Sequence, residues 1–125
     1  MMMTQLLTAT LDWCFPPRHT EVRVRSLTKD TLLPVPHYDG SVTALFPYHH
    51  PDVHALVYEA KFHFNQRAHR LIGQTLATYI DKHFPHHVLV PIPLHPRRER
   101  ERGFNQVRVS LETQSHLRPQ LATNL

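Results

Sequence analysis

The stretch Val88–Gln106, V-L-V-P-I-P-L-H-P-R-R-E-R-E-R-G-F-N-Q, constrains the fold more than any other part of the chain. Val88, Leu89, Val90 and Ile92 form a short apolar run rich in β-branched side chains, the pattern of a buried strand. Pro91 and Pro93 have no N–H to give to a ladder, so the strand is expected to leave the sheet there. A charged loop carrying Arg97, Arg98, Arg100 and Arg102 is expected next, and Gly103 stands just before a candidate helix. Strand, loop, glycine and helix start is an order that turns backbone N–H groups toward an anion. Arginine forks would add charge-assisted bonds to phosphate oxygens. Taken alone, an Arg/Glu run is more often a solvated face, with the glycine a plain turn residue.

Upstream, the pattern is that of an α/β chain. Leu6, Leu7 and Leu11 fit one or two helical turns, with Trp13 and Phe15 adding apolar surface before Pro16 and Pro17 end the run. Cys14, between those aromatics, reads as buried and inert. Residues 22–40, with Pro34, Pro36 and Gly40, read as an irregular or short-stranded connection. Val42, Ala44, Phe46 and Tyr48 alternate as a half-buried strand does, and Pro47 suits an edge or an end. Pro51 fits the first position of a helix, with Asp52 favourable in its first turn and Val53, Leu56, Val57, Ala60 and Phe64 at helical spacing. The strongest periodicity is Ala68, Leu71, Ile72, Thr75, Leu76, Tyr79 and Ile80, which predicts a helix ended by Pro85. Gly73 lies off that stripe and is expected only to cost helix propensity, about 1 kcal/mol. Strand, helix, helix, strand, loop, helix is an α/β order. Past Gln106 only Val107, Leu111 and Ser115 make a thin stripe, and Pro119 stops it.

With 125 residues, 41% of them hydrophobic, the chain suits one domain with a modest core. A net charge of +4 favours anionic partners. One cysteine excludes an intrachain disulfide and a Cys-x-x-Cys knuckle. No basic leader or long apolar span is evident, so the expectation is a cytoplasmic chain with no membrane partner. His50 and His54 stand four apart, and His49–His50 and His86–His87 are adjacent pairs, but no third ligand fixes a metal site. Glycines occur only at 40, 73 and 103, which excludes a P-loop or dinucleotide cradle.

Val90-Pro91-Ile92-Pro93-Leu94, Arg97, Arg98, Arg100 and the block Arg102-Gly103-Phe104-Asn105-Gln106 resemble the ComF family of competence-associated proteins, which carry a type I phosphoribosyltransferase-like domain. Leu56, Val57, Lys61 and Phe62 match that family's L-I-x-x-x-K-[YF] helix, and Leu11–Pro17 looks like its lead-in ending in F-P-P. Many relatives continue into a zinc knuckle. Arg18-His19-Thr20-Glu21-Val22 occupies that place here, so no zinc is expected. The resemblance implies a lead-in over residues 1–40, a partial phosphoribosyltransferase-like domain over 41–118 and a tail over 119–125. It breaks off after Gln106, as though the C-terminal half of the domain were missing through a frameshift or an early stop.

The resemblance further implies a pyrophosphate-binding turn made by Arg102, Gly103, Phe104, Asn105 and Gln106. Arg97, Arg98, Arg100 and Lys61 are further candidate phosphate contacts. The expected ligands are pyrophosphate or phosphoribosyl pyrophosphate (PRPP), with Mg²⁺ accompanying them. For Phe104 and Asn105, packing explains the residues equally well. The acidic strand end and T-T-G-x-T-like turn that hold PRPP in the family are absent, so no catalytic residue is assigned and the chain alone is expected to be inactive. Two other readings remain. One is a small basic nucleic-acid-binding module using Arg97–Arg102, although Glu99 and Glu101 dilute the patch and few aromatics lie near it in sequence. The other is a non-functional fragment whose half sheet leaves an open edge.

Overall fold

The computed structural model describes residues 1–32 and 34–122. In chain order its helices are α1 (Met2–Cys14), α2 (His19–Ser26), α3 (Pro51–Phe62), α4 (Gln66–His83), α5 (Pro96–Arg102) and α6 (Gln106–Glu112). Strands β1 (His37–Asp39) and β2 (Val42–Ala44) lie between α2 and α3, and a 3-10 helix covers Ser115–Gln120. The fold is therefore mainly helical with one small antiparallel hairpin. Among the described residues no helix is long and apolar enough to cross a membrane.

The spine is α4. The Asn65 carboxamide oxygen caps it by accepting from the Ala68 N–H (3.1 Å), and Lys82 and His83 stand in its last turn, where positive charge suits the dipole. Its N-terminal half puts Ala68 and Leu71 into a core with Val24, Leu27, Leu32, Ala55, Leu56 and Ala60. Its C-terminal half puts Ala77 against Leu111 and Leu117, with Leu76, Ile80, Leu89 and Leu121 packed around them. Each fully buried leucine, such as Leu56 or Leu117, contributes about 2 kcal/mol. Helix α3 begins as its sequence requires, with Pro51 in the first turn and the His50 ring accepting from the Asp52 N–H (3.3 Å).

Gly73 has a larger role than a propensity cost. A β-carbon there would collide with the Ser110 carbonyl oxygen and the Thr113 hydroxyl. The glycine is what lets α6 lie directly on α4.

Several expectations are corrected. Val88–Val90 is no buried strand: Val88 is 71%, Val90 55% and Ile92 80% exposed. Only Leu89 pairs, in a single parallel bridge to Leu121, with the Leu89 N–H donating to the Gln120 carbonyl (2.8 Å) and the Ala122 N–H to the Leu89 carbonyl (2.9 Å). A parallel ladder needs neighbouring strands of comparable length, and this one has a single bridging residue. The charged run after it is helix α5 rather than a loop. The strand at Val42 stops at Ala44 and pairs with β1, His37 opposite Ala44; Phe46 reaches the core but Tyr48 remains exposed. Residues 22–40 hold the end of α2, a helix whose only buried side chain is Val24 and which therefore leaves little periodic trace. Its last carbonyls are satisfied by Arg67, which donates to Val24 (3.2 Å) and Leu27 (2.6 Å). Phe64 falls outside α3 and is exposed. Cys14 is exposed, not buried, as are Leu6, Leu7, Leu11, Trp13 and Phe15. Pro119 sits inside the 3-10 helix, where Leu117 is fully buried. Of the tail at 119–125, residues 123–125 lie outside the described residues.

Candidate functional site

The α5 sequence P-R-R-E-R-E-R has no apolar face, and local devices make it helical. The His95 ring accepts from the Arg97 N–H (3.2 Å) and Pro96 stands in the first turn. Arg97 bonds Glu101 one turn on (3.0 Å). Gly103 ends the helix in the left-handed region, φ 82°, a conformation that glycine adopts without steric cost.

The helical spacing decides which arginines act together. Arg98 and Arg102 stand four apart and share a face, with Glu101 beside them. Opposite them the end of α3 presents Lys61 and Phe62. These five residues line an open cleft of about 540 Å³. Arg102 lies over the Phe62 ring (5.7 Å to the centroid) and Lys61 lies 5.1 Å from the same centroid. The Arg102 guanidinium is steadied by the Gln106 carboxamide oxygen at 2.5 Å. Among the described residues Lys61, Arg98 and Arg102 form no ion pair, whereas Glu101 is engaged with Arg97. Three unpaired cations facing one occupied carboxylate give the cleft a positive field suited to a polyanion.

The turn spends part of its backbone and side chains within the fold. The Gly103 N–H donates to the Glu99 carbonyl (2.6 Å) and so closes α5. The Asn105 carboxamide oxygen takes the Val107 (3.1 Å) and Arg108 (3.3 Å) N–H groups of α6. Its amide donates to the Ile92 carbonyl (2.9 Å), pinning the turn to the proline-rich segment. Among the described residues the consecutive Phe104, Asn105 and Gln106 N–H groups at this turn have no partner. The Phe104 ring packs on Phe64 (4.7 Å) and on buried His69 (5.6 Å). The structure therefore brings Lys61, Arg98 and Arg102 together and uses Gln106 to orient Arg102. Asn105 is a helix cap and Phe104 a packing residue. Arg97 is paired outside the cleft, and Arg100 stands about 200° around α5 from Arg98.

Phe62 and Glu101 were not singled out as lining residues, because a charge run read as a loop gives no face on which to place them. Other features the sequence did not mark are Glu59 and His69. Glu59 is fully buried on α3 and bonded by Arg18, Thr20 and Asn65.

The cleft chemistry does not fit a resident metal: its single carboxylate is bonded to Arg97, so Mg²⁺ would enter only on the oxygens of a bound diphosphate. Among the described residues no group of three or more His, Cys, Asp or Glu side chains is placed to hold a metal ion. His50 caps α3, while the His54 ring stacks with Tyr58 (6.0 Å).

No family model matches the chain, and comparison with curated proteins and with solved structures found no match either.

Proposed function

We propose that this chain binds a diphosphate-bearing small molecule, pyrophosphate or PRPP, in the cleft between the end of α3 and α5. In this reading it is a ComF-like, phosphoribosyltransferase-related protein of the cytoplasm, and residues 1–125 carry no counterpart of that family's PRPP-binding turn. The carrying observation is the convergence of Lys61, Arg98 and Arg102 around Phe62, with Glu101, itself bonded to Arg97, the one carboxylate in the lining. Two helices separated in sequence supply those cations, so the positive field is a product of folding rather than of the Arg/Glu run alone. A diphosphate would take bidentate bonds from the two guanidinium groups and a point charge from Lys61. Transfer chemistry needs an acidic ribose-binding turn that the sequence does not contain, so binding without turnover is expected, and DNA uptake enters as the process in which a partner would complete the site. Thermal unfolding with added pyrophosphate tests the reading. The midpoint should rise with ligand concentration as mass action requires, and an equal rise with sulfate at the same ionic strength would overturn it.

A second reading, nucleic-acid binding, gains support from one observation. Tyr48, His54, Tyr58 and Phe62 form a row of neighbouring rings (5.5, 6.0 and 5.1 Å between centroids) leading to the cleft. Bases stack on such rows while cations follow the backbone. Loss of binding to a short single strand as salt rises, with a steep logarithmic slope, would favour it. Displacement by pyrophosphate at constant ionic strength favours the first reading.

A further inference from the structure

Helix α1 lies with its polar side toward the rest of the chain. At the helical spacing Met3, Leu6, Leu7, Leu11, Trp13 and Cys14 fall within about 160° of arc, and Asp12 stands about 180° from the middle of that arc. Asp12 is the residue that the fold holds. Its carboxylate accepts from Arg25 of α2 through Nη1 (2.7 Å) and Nη2 (3.2 Å), and among the described residues these are the only hydrogen bonds from α1 to another element. Arg25 is itself fixed by Glu21, one turn back on α2 (2.9 Å). The helix buries none of its side chains, and Asp12 alone is partly covered.

The face left open is large and carries no charge. Leu6 is 66%, Leu7 57%, Leu11 56% and Trp13 85% exposed. With Met2 and Met3, these side chains present on the order of 800 Å² to solvent. The largest apolar patch on most monomers is about 300–600 Å². Thr10, the hydroxyl inside the arc, bonds back to the Leu6 carbonyl (2.6 Å), so it offers the surface its methyl group.

Area and charge together say what covers this face. A helix that lies on a membrane carries lysines and arginines along its polar side; α1 has none, and its one charged side chain is Asp12. A second copy of the chain meets both requirements. Two such faces, mostly covered by each other, would remove more than the roughly 1,000 Å² that a specific interface needs. A twofold axis sets a surface against its own image, so like charges on it repel. The net charge of this chain is +4, yet the α1 face brings no charge to such a contact.

We propose that α1 is a dimerisation helix: two copies of this chain pair about a twofold axis through the Met3–Leu7–Leu11 ridge, with Leu6, Trp13 and Cys14 flanking it. The pairing is independent of the anion cleft, to which α1 contributes no residue.

The test is analytical ultracentrifugation of the full-length chain over a range of concentrations, under reducing conditions, for wild type, Leu7→Glu and Val88→Glu. Val88 is exposed and apolar but lies outside α1. Wild type should dimerise with a midpoint at about micromolar concentration or below. Leu7→Glu should dimerise about a hundredfold more weakly or not at all, because each dimer would bury two unpaired carboxylates. Val88→Glu should stay within about twofold of wild type, as a surface substitution does. Emission from Trp13, the only tryptophan, should move to shorter wavelength as wild type dimerises and stay fixed in Leu7→Glu. A wild-type chain that is monomeric at every concentration overturns the proposal, as does a dimer that Leu7→Glu leaves intact or that Val88→Glu weakens equally. A monomer that binds anionic lipid vesicles through Leu7 overturns it in favour of a membrane surface. Should Leu7→Glu fail to fold, the wild-type chain decides: a dimer that leaves the Trp13 emission unmoved overturns the pairing through α1.

Discussion

Replacing Glu59 by glutamine is expected to remove one of the strongest polar ties in the fold, by an amount that depends on pH in a defined way. The Glu59 side chain is fully buried. It accepts from Arg18 Nε (3.0 Å) and Nη2 (2.8 Å), from the Thr20 hydroxyl (2.6 Å) and from the Asn65 amide (3.3 Å). Burial on its own pushes this carboxyl up; the donors from Arg18, Thr20 and Asn65 outweigh it and hold it down at about 2. Set against the ordinary value of 4.5, the difference is worth on the order of 3 kcal/mol. Arg18 is 44% exposed and can rehydrate, which keeps the loss at the lower end of that for a broken buried pair, about 3 kcal/mol. The sign follows from proton binding. Between pH 4.5 and about 2 the unfolded chain takes up a proton that the folded chain refuses, so stability is complete above that window and drains as pH falls through it. Urea unfolding across a pH series should show wild type about 3 kcal/mol more stable than Glu59→Gln at pH 7, with the gap closing toward pH 2. A gap below about 0.5 kcal/mol, the range of ordinary surface substitutions, or one that does not change with pH, would refute the reasoning.

Gly73→Ala should destabilise in spite of its better helix propensity. Gaining about 1 kcal/mol of propensity is outweighed by forcing α6 off α4, which costs about 1–3 kcal/mol or more for an overpacked contact; a raised melting temperature would contradict this. Asn105→Ala removes the α6 cap and the tie to Ile92, and should cost about 1–2 kcal/mol. Asn105→Asp keeps the cap but gives up the tie, so its loss in urea unfolding should be smaller, and equal losses for the two variants would show that the cap carries no stability.

The parts of the fold legible in the sequence are those whose apolar spacing and caps agree. Helix α4 has a seven-residue stripe beginning at Ala68 and a capping Asn65, and α3 has Pro51 and Asp52 before Val53, Leu56 and Ala60. Helix α5 was illegible by periodicity because none of its residues is apolar. Its markers were Pro96, the Arg97–Glu101 spacing and Gly103, which a charge run conceals. Val88–Ile92 shows the opposite failure. Its β-branched residues carry strand propensity, but that propensity is realised only against neighbouring strands, and Leu121 alone bridges to it. At the candidate site, Lys61 and the arginines were legible as cations. Their sorting into cleft residues (Arg98, Arg102) and outer residues (Arg97, Arg100) depends on helical phase. The partners of Glu59 and His69 lie up to 41 residues away in the chain, a distance over which local patterns carry no information.

The cleft between α3 and α5 is tested most directly by isothermal titration of pyrophosphate at fixed ionic strength into four chains: wild type, Arg98→Ala, Arg102→Ala and Arg97→Ala. Each cleft arginine should weaken binding by about tenfold or more, the equivalent of one charge-assisted bond of about 1.5–3 kcal/mol. Arg97→Ala should bind within about twofold of wild type, because a salt-bridged surface arginine contributes little. Equal losses at all three positions, or no heat of binding to the wild-type chain, would contradict the assignment of the cleft as a diphosphate site.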